Sequence, residues 1–192
     1  MVQSAVFGYL IGSIPFGVLL ASLRGVRLQE VGSGNIGATN VNRALGPAAG
    51  LLVLLLDAGK GAVAALIGLS LVGPWGFVLG GLGAGIGHAY PFTLRFHGGK
   101  VVAVSLGVLL LTSPLAALVA VLVFLGMLLA TRIVSSSALL GATAALVTLL
   151  VLPASTPSRI LVLGLWLLML IRHAPNIQRL LAHQEPRLTV RR

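Results

Sequence analysis

The segment Pro47–Val72, PAAGLLVLLLDAGKGAVAALIGLSLV, decides the fold class of this chain. Only Asp57 and Lys60 are charged within it, and it exceeds the roughly 20 apolar residues that a helix needs to cross a bilayer. The whole chain shares this character, since 57% of its 192 residues are apolar, 8% are charged and the mean hydropathy is +1.07. A soluble fold of this size cannot bury so much apolar surface. The composition therefore predicts an all-α polytopic membrane protein.

Six further apolar stretches flank this segment and are separated by prolines and polar residues. We predict about seven spans, some of them short, over residues 4–23, 47–72, 75–92, 101–112, 114–130, 137–152 and 160–171. Residues 101–130 would alternatively form one helix, so six or five spans are the alternatives. With seven spans, all 13 cations except Lys60 and Arg159 lie on one side. The positive-inside rule then places the N-terminus outside and the C-terminus in the cytoplasm.

The long polar segments of this arrangement all face the cytoplasm. They are residues 24–46, 93–100, 131–136 and the tail 172–192, and together with the spans they form a single membrane domain over residues 1–192. Chemistry is therefore expected at the cytoplasmic leaflet. A net charge of +10 would suggest nucleic acid in a soluble protein, but the inner loops of a membrane protein account for it, so no nucleic-acid partner is expected.

Several reaction classes are excluded by what the sequence lacks. The chain has no cysteine, which excludes disulfides, thiol catalysis and Cys-ligated metals. Its three acidic residues are too few for a carboxylate metal cage or a paired-carboxylate glycosidase. Neither a His-x4-Asp motif nor a Gly-x-Ser-x-Gly nucleophile elbow is present.

The first inner loop carries the densest set of hydrogen-bond donors, GSGNIGATNVNR over residues 32–43. Glycines allow successive backbone N–H groups to converge on an anion, and hydroxyl and guanidinium groups suit a phosphate. A flexible turn between spans is the alternative, but a plain linker needs no such donors. We predict that substrate phosphate is bound by Gly32, Ser33, Gly34, Asn35, Gly37, Thr39, Asn40 and Arg43.

The second inner loop ends in Gly98, Gly99 and Lys100, which offer bare backbone beside a cation at a predicted helix start. We predict phosphate contacts here too, although Lys100 would also serve as a positive-inside anchor. Within the second span, Asp57 and Lys60 share one helix face. A structural ion pair and a substrate-binding role for Lys60 are equally open. Asp57 and His88 are assigned supporting roles.

The tail after the last span contains His173, Asn176 and Glu185 among several arginines. Binding of a basic anchor to anionic headgroups would explain the arginines. It does not explain the other three residues, so we add them to the candidate site, with Glu185 in a supporting role.

Jointly, these motifs resemble the bacterial acyl-phosphate:glycerol-3-phosphate acyltransferase family. Their order and spacing match along nearly the whole chain. The matching motifs are GSIPFG at 12–17, GSGNIGATN at 32–40 with RALG at 43–46, DxxKG at 57–61, GHxYP at 87–91, FxGGK at 96–100 and RHxxNIxRLL at 172–181.

The resemblance implies a small enzyme of the bacterial inner membrane. It would transfer a fatty acyl group from acyl phosphate to the sn-1 hydroxyl of glycerol 3-phosphate, giving lysophosphatidic acid and phosphate. It would act as a monomer, without metal, coenzyme A, carrier protein or other cofactor. The residues implied in its active site are Ser33, Arg43, Lys100, His173 and Asn176, with the glycine-rich loops around the phosphates.

Three alternatives stay open beside this interpretation. The same transfer would work from acyl-CoA or acyl carrier protein, because a carrier protein would dock on a basic cytoplasmic patch. A membrane carrier or channel for a phosphorylated solute would use the same anion loops, but the outer loops are almost devoid of polar residues. A structural membrane subunit leaves the donor-rich loops unexplained.

The sequence departs from the family pattern beside Lys100. The family usually continues Gly-Gly-Lys with Gly-Val-Ala-Thr, whereas this chain has Val101 in place of the glycine and Val104 in place of the hydroxyl. We expect Val101 to crowd the backbone approach to phosphate and Val104 to remove a donor. If crowding limits the site, Val101→Gly should raise activity.

Overall fold

The computed structural model describes residues 1–188, and within that range the chain is helical, without a strand. The all-α prediction is confirmed. The α-helices are α1 Val2–Gly12, α2 Phe16–Ser22, α3 Ala38–Leu45, α4 Pro47–Val72, α5 Pro74–Ala89, α6 Val102–Thr112, α7 Pro114–Thr131, α8 Val134–Val151, α9 Thr156–Arg172 and α10 Ala174–Leu181.

Four segments within residues 1–188 are long and apolar enough to cross a membrane. They are Val2–Ser22, which joins α1 and α2, and helices α4, α7 and α8. A fifth results if α9 and α10, which meet at a bend of 60°, count as one span. Helix α6 is apolar but short. The seven-span count and the orientation therefore stay predictions.

Prolines set the breaks between helices. The first predicted span is interrupted between Gly12 and Phe16, where Pro15 precedes α2. The stretch 101–130 forms two helices, as we predicted, and not one. Ser113 lies between them and its hydroxyl accepts a hydrogen bond from the N–H of Ala116, while Pro114 occupies the first turn of α7, where its missing N–H costs nothing.

Small residues let α1, α4 and α5 pack with their backbones in contact. A Cβ atom on Gly8 would collide with the carbonyl of Gly80, and one on Gly12 with the carbonyl of Ala84. Gly107 of α6 meets the backbone of α4 at Ala58 in the same way. Close approach of this kind is the usual means by which membrane helices associate. It accounts for many of the 25 glycines without any ligand site.

The first inner loop is folded against this bundle. Leu28, Ile36 and Val41 are buried in an apolar cluster with Ala21 and Val53. Helix α3 and a short 3-10 turn, Leu28–Glu30, lie within the predicted loop 24–46. The alternative of a flexible turn is therefore wrong, because apolar burial fixes the segment over α4.

Candidate active site

A cavity of about 200 Å³ lies where the first inner loop, the start of α6, helix α8 and the C-terminal segment meet. Most of the predicted residues line it, although they come from segments far apart in the sequence. Those present are Ser33, Asn35, Gly37, Thr39, Asn40, Arg43, Asp57, His88, Lys100, His173, Asn176 and Glu185. Ser135 and Arg179 line it as well.

The asparagines of the first loop shape its backbone. Asn40 is 1% exposed, and its Oδ1 accepts a hydrogen bond from the N–H of Ser33 at 3.1 Å. Its Nδ2 donates to the carbonyls of Leu28 at 3.1 Å and Val31 at 2.9 Å. All three of these bonds lie within the loop. Asn40 therefore positions Ser33, and its own amide is already engaged.

The turn at residues 32–37 needs its glycines for backbone geometry. Gly32 and Gly34 have φ of +56° and +68°, a region that favours glycine, and neither is among the residues that line the cavity. Asn35 Oδ1 accepts from the N–H of Gly37 at 2.9 Å. The expected nest of free N–H groups is thus used largely to close the turn, so Gly32 and Gly34 act as turn residues here.

The first turn of α3 supplies backbone N–H donors beside the cavity. Ala38 and Thr39 form its first turn and line the cavity. The first N–H groups of an α-helix have no acceptor within the helix, and the helix dipole favours an anion beside them. With Ser33 and Arg43 alongside, this end of the cavity is suited to a phosphate.

The glycines of the second loop are engaged in packing. The N–H of Gly98 donates to the carbonyl of Ala89 at 3.2 Å, and that of Gly99 donates to the carbonyl of His88 at 2.9 Å. A Cβ on Gly98 would collide with the His88 carbonyl, and one on Gly99 with the His88 ring. Neither glycine lines the cavity. The structure gives Gly98 and Gly99 a structural role, since their backbone donors already have acceptors, and it does not support their predicted phosphate contact.

Lys100 does line the cavity, at the end of this loop. Burial lowers the pKa of its ammonium to about 8. The carboxylate of Glu185 opposes this shift of the pKa, whereas Arg179, Arg172 and Arg43 increase it. A concentration of positive charge at this point is the electrostatic environment that a phosphate dianion would neutralise.

The charged pair of the second span lies beneath the cavity. Lys60 Nζ is 2.8 Å from Asp57 Oδ1 and donates to the carbonyl of Ile14 at 2.8 Å. Lys60 is 5% exposed and does not line the cavity, whereas Asp57 and His88 do. His88 Nδ1 is 3.8 Å from Asp57 Oδ1. Of the two possibilities left open, the structure favours the ion pair, because Lys60 ties α4 to the break between α1 and α2; its predicted phosphate contact is not supported.

His173 and Asn176 enter the cavity at the bend between α9 and α10. His173 is 1% exposed, and its Nδ1 lies 2.9 Å from the carbonyl of Met169. Because a carbonyl can only accept, Nδ1 carries the hydrogen of the neutral ring and Nε2 keeps its lone pair. His173 can therefore accept a hydrogen bond or a proton at Nε2.

Glu185 connects three elements around the cavity. One oxygen accepts from Ser135 Oγ at 2.7 Å and from Asn176 Nδ2, and the other accepts from Arg179 Nε at 2.7 Å. Burial opposes ionisation, but the hydrogen bonds from Asn176, Ser135 and Arg179 outweigh it and hold the pKa of this carboxyl below its ordinary value. The supporting role predicted for Glu185 fits this geometry.

Sequence reasoning missed Ser135 and Arg179. Arg179 stands three residues after Asn176, so it lies on the same face of α10 and could have been found from that spacing. Ser135 carries no such signal. It is one of several hydroxyl residues at the start of α8, and only its contact with Glu185 distinguishes it.

Val101 and Val104 do not crowd the cavity. Both are 0% exposed and belong to the apolar cluster between α4, α5, α6 and α9. Neither lines the cavity. Val101 instead takes a left-handed backbone conformation, with φ of +67°, directly after Lys100. The structure therefore does not support the expected crowding of phosphate, because these side chains point into the core.

An apolar groove of about 480 Å³ adjoins the polar cavity. Leu54, Val102, Phe124 and Ala138 line both spaces, so the two lie side by side. Beyond them the groove runs between α4, α6, α7 and α8 and is lined mostly by aliphatic side chains. The combination accommodates a ligand with an anionic head and a hydrocarbon chain.

Comparison with known proteins gives a consistent result. A family model described as glycerol-3-phosphate acyltransferase matches residues 2–183. The chain is 46% identical to a glycerol-3-phosphate acyltransferase of Symbiobacterium thermophilum over 191 residues, which cover 100% of this chain and 96% of the relative. It is 44% identical to one of Aquifex aeolicus over 186 residues, covering 95% and 96%.

Two crystal structures have the same fold. Both are of PlsY, an integral membrane glycerol 3-phosphate acyltransferase. Its glycerol 3-phosphate form superposes with a TM-score of 0.92 at 42% identity, covering 98% of this chain and 95% of that one. Its lysophosphatidic acid form superposes with a TM-score of 0.91 at 40% identity, with the same coverage.

Proposed function

Since this chain belongs to the glycerol-3-phosphate acyltransferase family and is an integral membrane enzyme, we propose that it takes its acyl group from acyl phosphate and transfers it to the sn-1 hydroxyl of glycerol 3-phosphate. The observation that carries this proposal is that a cationic cavity and an apolar groove lie side by side and share lining residues. The cavity suits the phosphate groups of both substrates. The groove suits the acyl chain.

Acyl phosphate reduces what the protein must supply. The hydroxyl oxygen attacks the acyl carbonyl carbon, an ester C–O bond forms, and the bond between that carbon and the phosphate oxygen breaks to release inorganic phosphate. Phosphate is a good leaving group, so no protein nucleophile is needed. Positioning and stabilisation of negative charge then account for catalysis.

The residues around the cavity divide between these tasks. Arg43, Ser33 and the start of α3 bind one phosphate, and Lys100 neutralises negative charge that develops on the donor. Asn176 orients a substrate through its amide, whose nitrogen is held by Glu185. The acyl chain lies between Leu54 and Phe124 and continues into the groove.

Two groups compete for the proton of the attacking hydroxyl: Nε2 of His173 and an oxygen of the donor phosphate. His173→Ala separates them. A fall in kcat of about 100-fold or more is expected if His173 is the base, since general bases contribute about 10²–10⁴-fold. Near-normal turnover would assign the proton to the phosphate oxygen.

The proposal includes the place of the reaction. Seven spans put the cavity at the cytoplasmic face of the bacterial inner membrane, with the N-terminus outside. One chain supplies every residue named above, so we propose a monomer. The lipid substrate then enters and the product leaves through the membrane side of the groove.

The test is acyl transfer by the purified protein to radiolabelled glycerol 3-phosphate. Palmitoyl phosphate, palmitoyl-CoA and palmitoyl carrier protein are offered in separate reactions, and Lys100→Met serves as the negative control. Lysophosphatidic acid from acyl phosphate alone supports the proposal. Product from a thioester alone would overturn the donor and keep the acceptor chemistry, while absence of product from every donor would favour a carrier of phosphorylated solutes.

A further inference from the structure

Arg172 belongs to the tail motif at 172–181 and has no place in the chemistry above. It is the last residue of α9, it is half-buried, and it does not line the cavity. Its guanidinium reaches the second inner loop. Nε donates to the carbonyl of Gly99 at 3.0 Å, and Nη2 donates to the carbonyl of Gly98 at 2.9 Å. The same group lies over the ring of Tyr90, 5.0 Å from its centre.

The loop that carries Lys100 is thus held from two sides. On one side the N–H groups of Gly98 and Gly99 bond to the end of α5. On the other side their carbonyls accept from Arg172 of α9. Every polar backbone group of the two glycines therefore has a partner, and these four hydrogen bonds tie the loop to both α5 and α9.

The side chain also links two parts of the candidate active site. Arg172 directly precedes His173 and stands four residues before Asn176, whereas it binds the two residues directly before Lys100. These segments are more than 70 residues apart along the chain. A displacement of about 1 Å between groups that hold one substrate is enough to reduce a rate about 100-fold.

We propose that Arg172 is a positioning residue for acyl transfer, which fixes Lys100 relative to His173 and Asn176 by binding the Gly98 and Gly99 carbonyls. The proposal rests on the proposed function of the cavity. An arginine is needed because its planar fork presents two N–H donors to two adjacent acceptors and stacks on an aromatic ring. A lysine ammonium is a compact charge without a planar fork, so it cannot hold two adjacent carbonyls in one fixed geometry or stack flat on the ring.

Charge and geometry can be tested separately at this position. Arg172 is one of the cations near Lys100; Arg179 and Arg43 are the others from the packed elements, with His173 and the carboxylate of Glu185 also close. Arg172→Lys keeps the positive charge and loses the fork. Arg172→Gln loses both. Arg95→Lys, on an exposed arginine of the same loop, is the matched control.

Two measurements are made on each variant. The first is kcat and KM for glycerol 3-phosphate and palmitoyl phosphate. The second is the pH titration of Lys100, followed by NMR in protein labelled with ¹³C-lysine. The chain contains two lysines, Lys60 and Lys100, so the spectrum has two side-chain signals. The Lys60 signal serves as an internal check that the fold is intact.

We expect Arg172→Lys to lower kcat by about 100-fold with little change in KM, and to leave the Lys100 titration near its wild-type midpoint. Arg172→Gln should lower kcat as much and also raise the Lys100 midpoint, because a neighbouring positive charge has been removed. Arg95→Lys should match wild type in both. In Arg172→Ala, added guanidinium should restore activity and added ammonium should not.

An Arg172→Lys variant that keeps more than half of the wild-type kcat would overturn the proposal. If wild type makes no product from any donor, the proposed function fails. The Lys100 signal then tests the positioning role of Arg172 independently of activity. A Lys100 signal that is broadened or doubled in Arg172→Lys supports the positioning role. An unchanged Lys100 signal in both Arg172 variants contradicts it.

Discussion

At the scale of single residues, the site depends on which polar groups are still free to bind a substrate. Asn40, Gly98 and Gly99 have the chemistry of phosphate ligands, but their donors are engaged within the chain. Lys100 and the lone pair of His173 Nε2 face the cavity instead. Substitutions at these two kinds of residue should therefore differ in effect, with loss of structure in one case and loss of rate in the other.

Lys100 predicts the basic limb of the pH profile. Its pKa of about 8 means that the cation is present below that pH and lost above it. If the cation binds substrate phosphate, kcat/KM should be level below pH 8 and fall as one proton is lost above it. Arginine stays charged at all these pH values, so the fall in kcat/KM above pH 8 should be absent from Lys100→Arg. The activity of this variant should be lower than that of wild type at every pH. A limb that persists unchanged in Lys100→Arg would assign it to another group.

Val101 and Val104 form a natural comparison of backbone strain. Both are fully buried, but only Val101 has a positive φ, and a left-handed conformation costs a non-glycine residue about 1–2 kcal/mol. The free energy of unfolding should be about 1 kcal/mol lower for Val104→Gly than for Val104→Ala, because position 104 lies within α6. At position 101, which precedes α6 and has a positive φ, glycine should be at least as stable as alanine, because the relief of strain matches or exceeds the entropic cost of glycine. The unfolding temperatures of Val101→Gly, Val101→Ala, Val104→Gly and Val104→Ala measure the stability difference between glycine and alanine at each position.

The same variants decide the question of crowding. Because neither valine lines the cavity, Val101→Gly should not raise kcat/KM above wild type. An increase would mean that the backbone after Lys100 restricts phosphate binding despite the inward direction of the side chain.

At the scale of elements, the segment at residues 183–188 forms a strap that contributes to the cavity wall. It follows α10 and places Glu185 and Pro186 in that wall, and the N–H of Leu188 donates to the carbonyl of Arg132 at 2.7 Å. It thereby joins α10 to the connection between α7 and α8. The family model matches residues 2–183, so all of the strap after His183 lies beyond the matched part of the chain.

Truncation should show what the strap contributes. Deletion of residues 183–192 removes Glu185 and leaves Asn176 and Arg179 without their acceptor. We expect activity to fall by about 10-fold or more, since an unpaired buried donor costs about 1–3 kcal/mol. Deletion of residues 189–192 alone keeps each of these contacts and is the control. Equal activity of the two truncated proteins would show that the strap is dispensable.

At the scale of the whole molecule, a closely packed bundle supports a site built from the connections between helices. Helices α1, α4 and α5 pack through small residues, whereas α7 and α8 border the apolar groove. With the predicted seven spans, the long connections lie on the side that carries most cations, so the positive-inside rule predicts a site on the cytoplasmic side.

The absence of native cysteine makes the topology simple to test. Single cysteines at Gln3, Ser158 and His183 would be the only thiols in each variant. With seven spans, Gln3→Cys and Ser158→Cys should react with an impermeant maleimide from outside the cell, and His183→Cys only after the membrane is opened. Labelling of Gln3→Cys and His183→Cys from the same side would require an even number of spans.

The sequence alone determined the membrane class, several of the helix breaks and most of the residue types in the site. Long apolar runs and prolines act locally, so the helices at 47–72, 102–112 and 114–131 could be predicted almost to the residue. The motifs likewise indicated the family before any geometry was known. Such features need no knowledge of distant contacts.

Only the tertiary structure decided which of those residues face the substrate. Lys60 was equally suited to an ion pair or a phosphate, and its position beside Asp57 and the Ile14 carbonyl favours the ion pair. Arg172 and Ser135 gained roles from partners 73 and 50 residues away. The physical reason is that buried donors and acceptors must be paired. Whether one remains free for a ligand depends on groups that the fold brings from elsewhere in the chain.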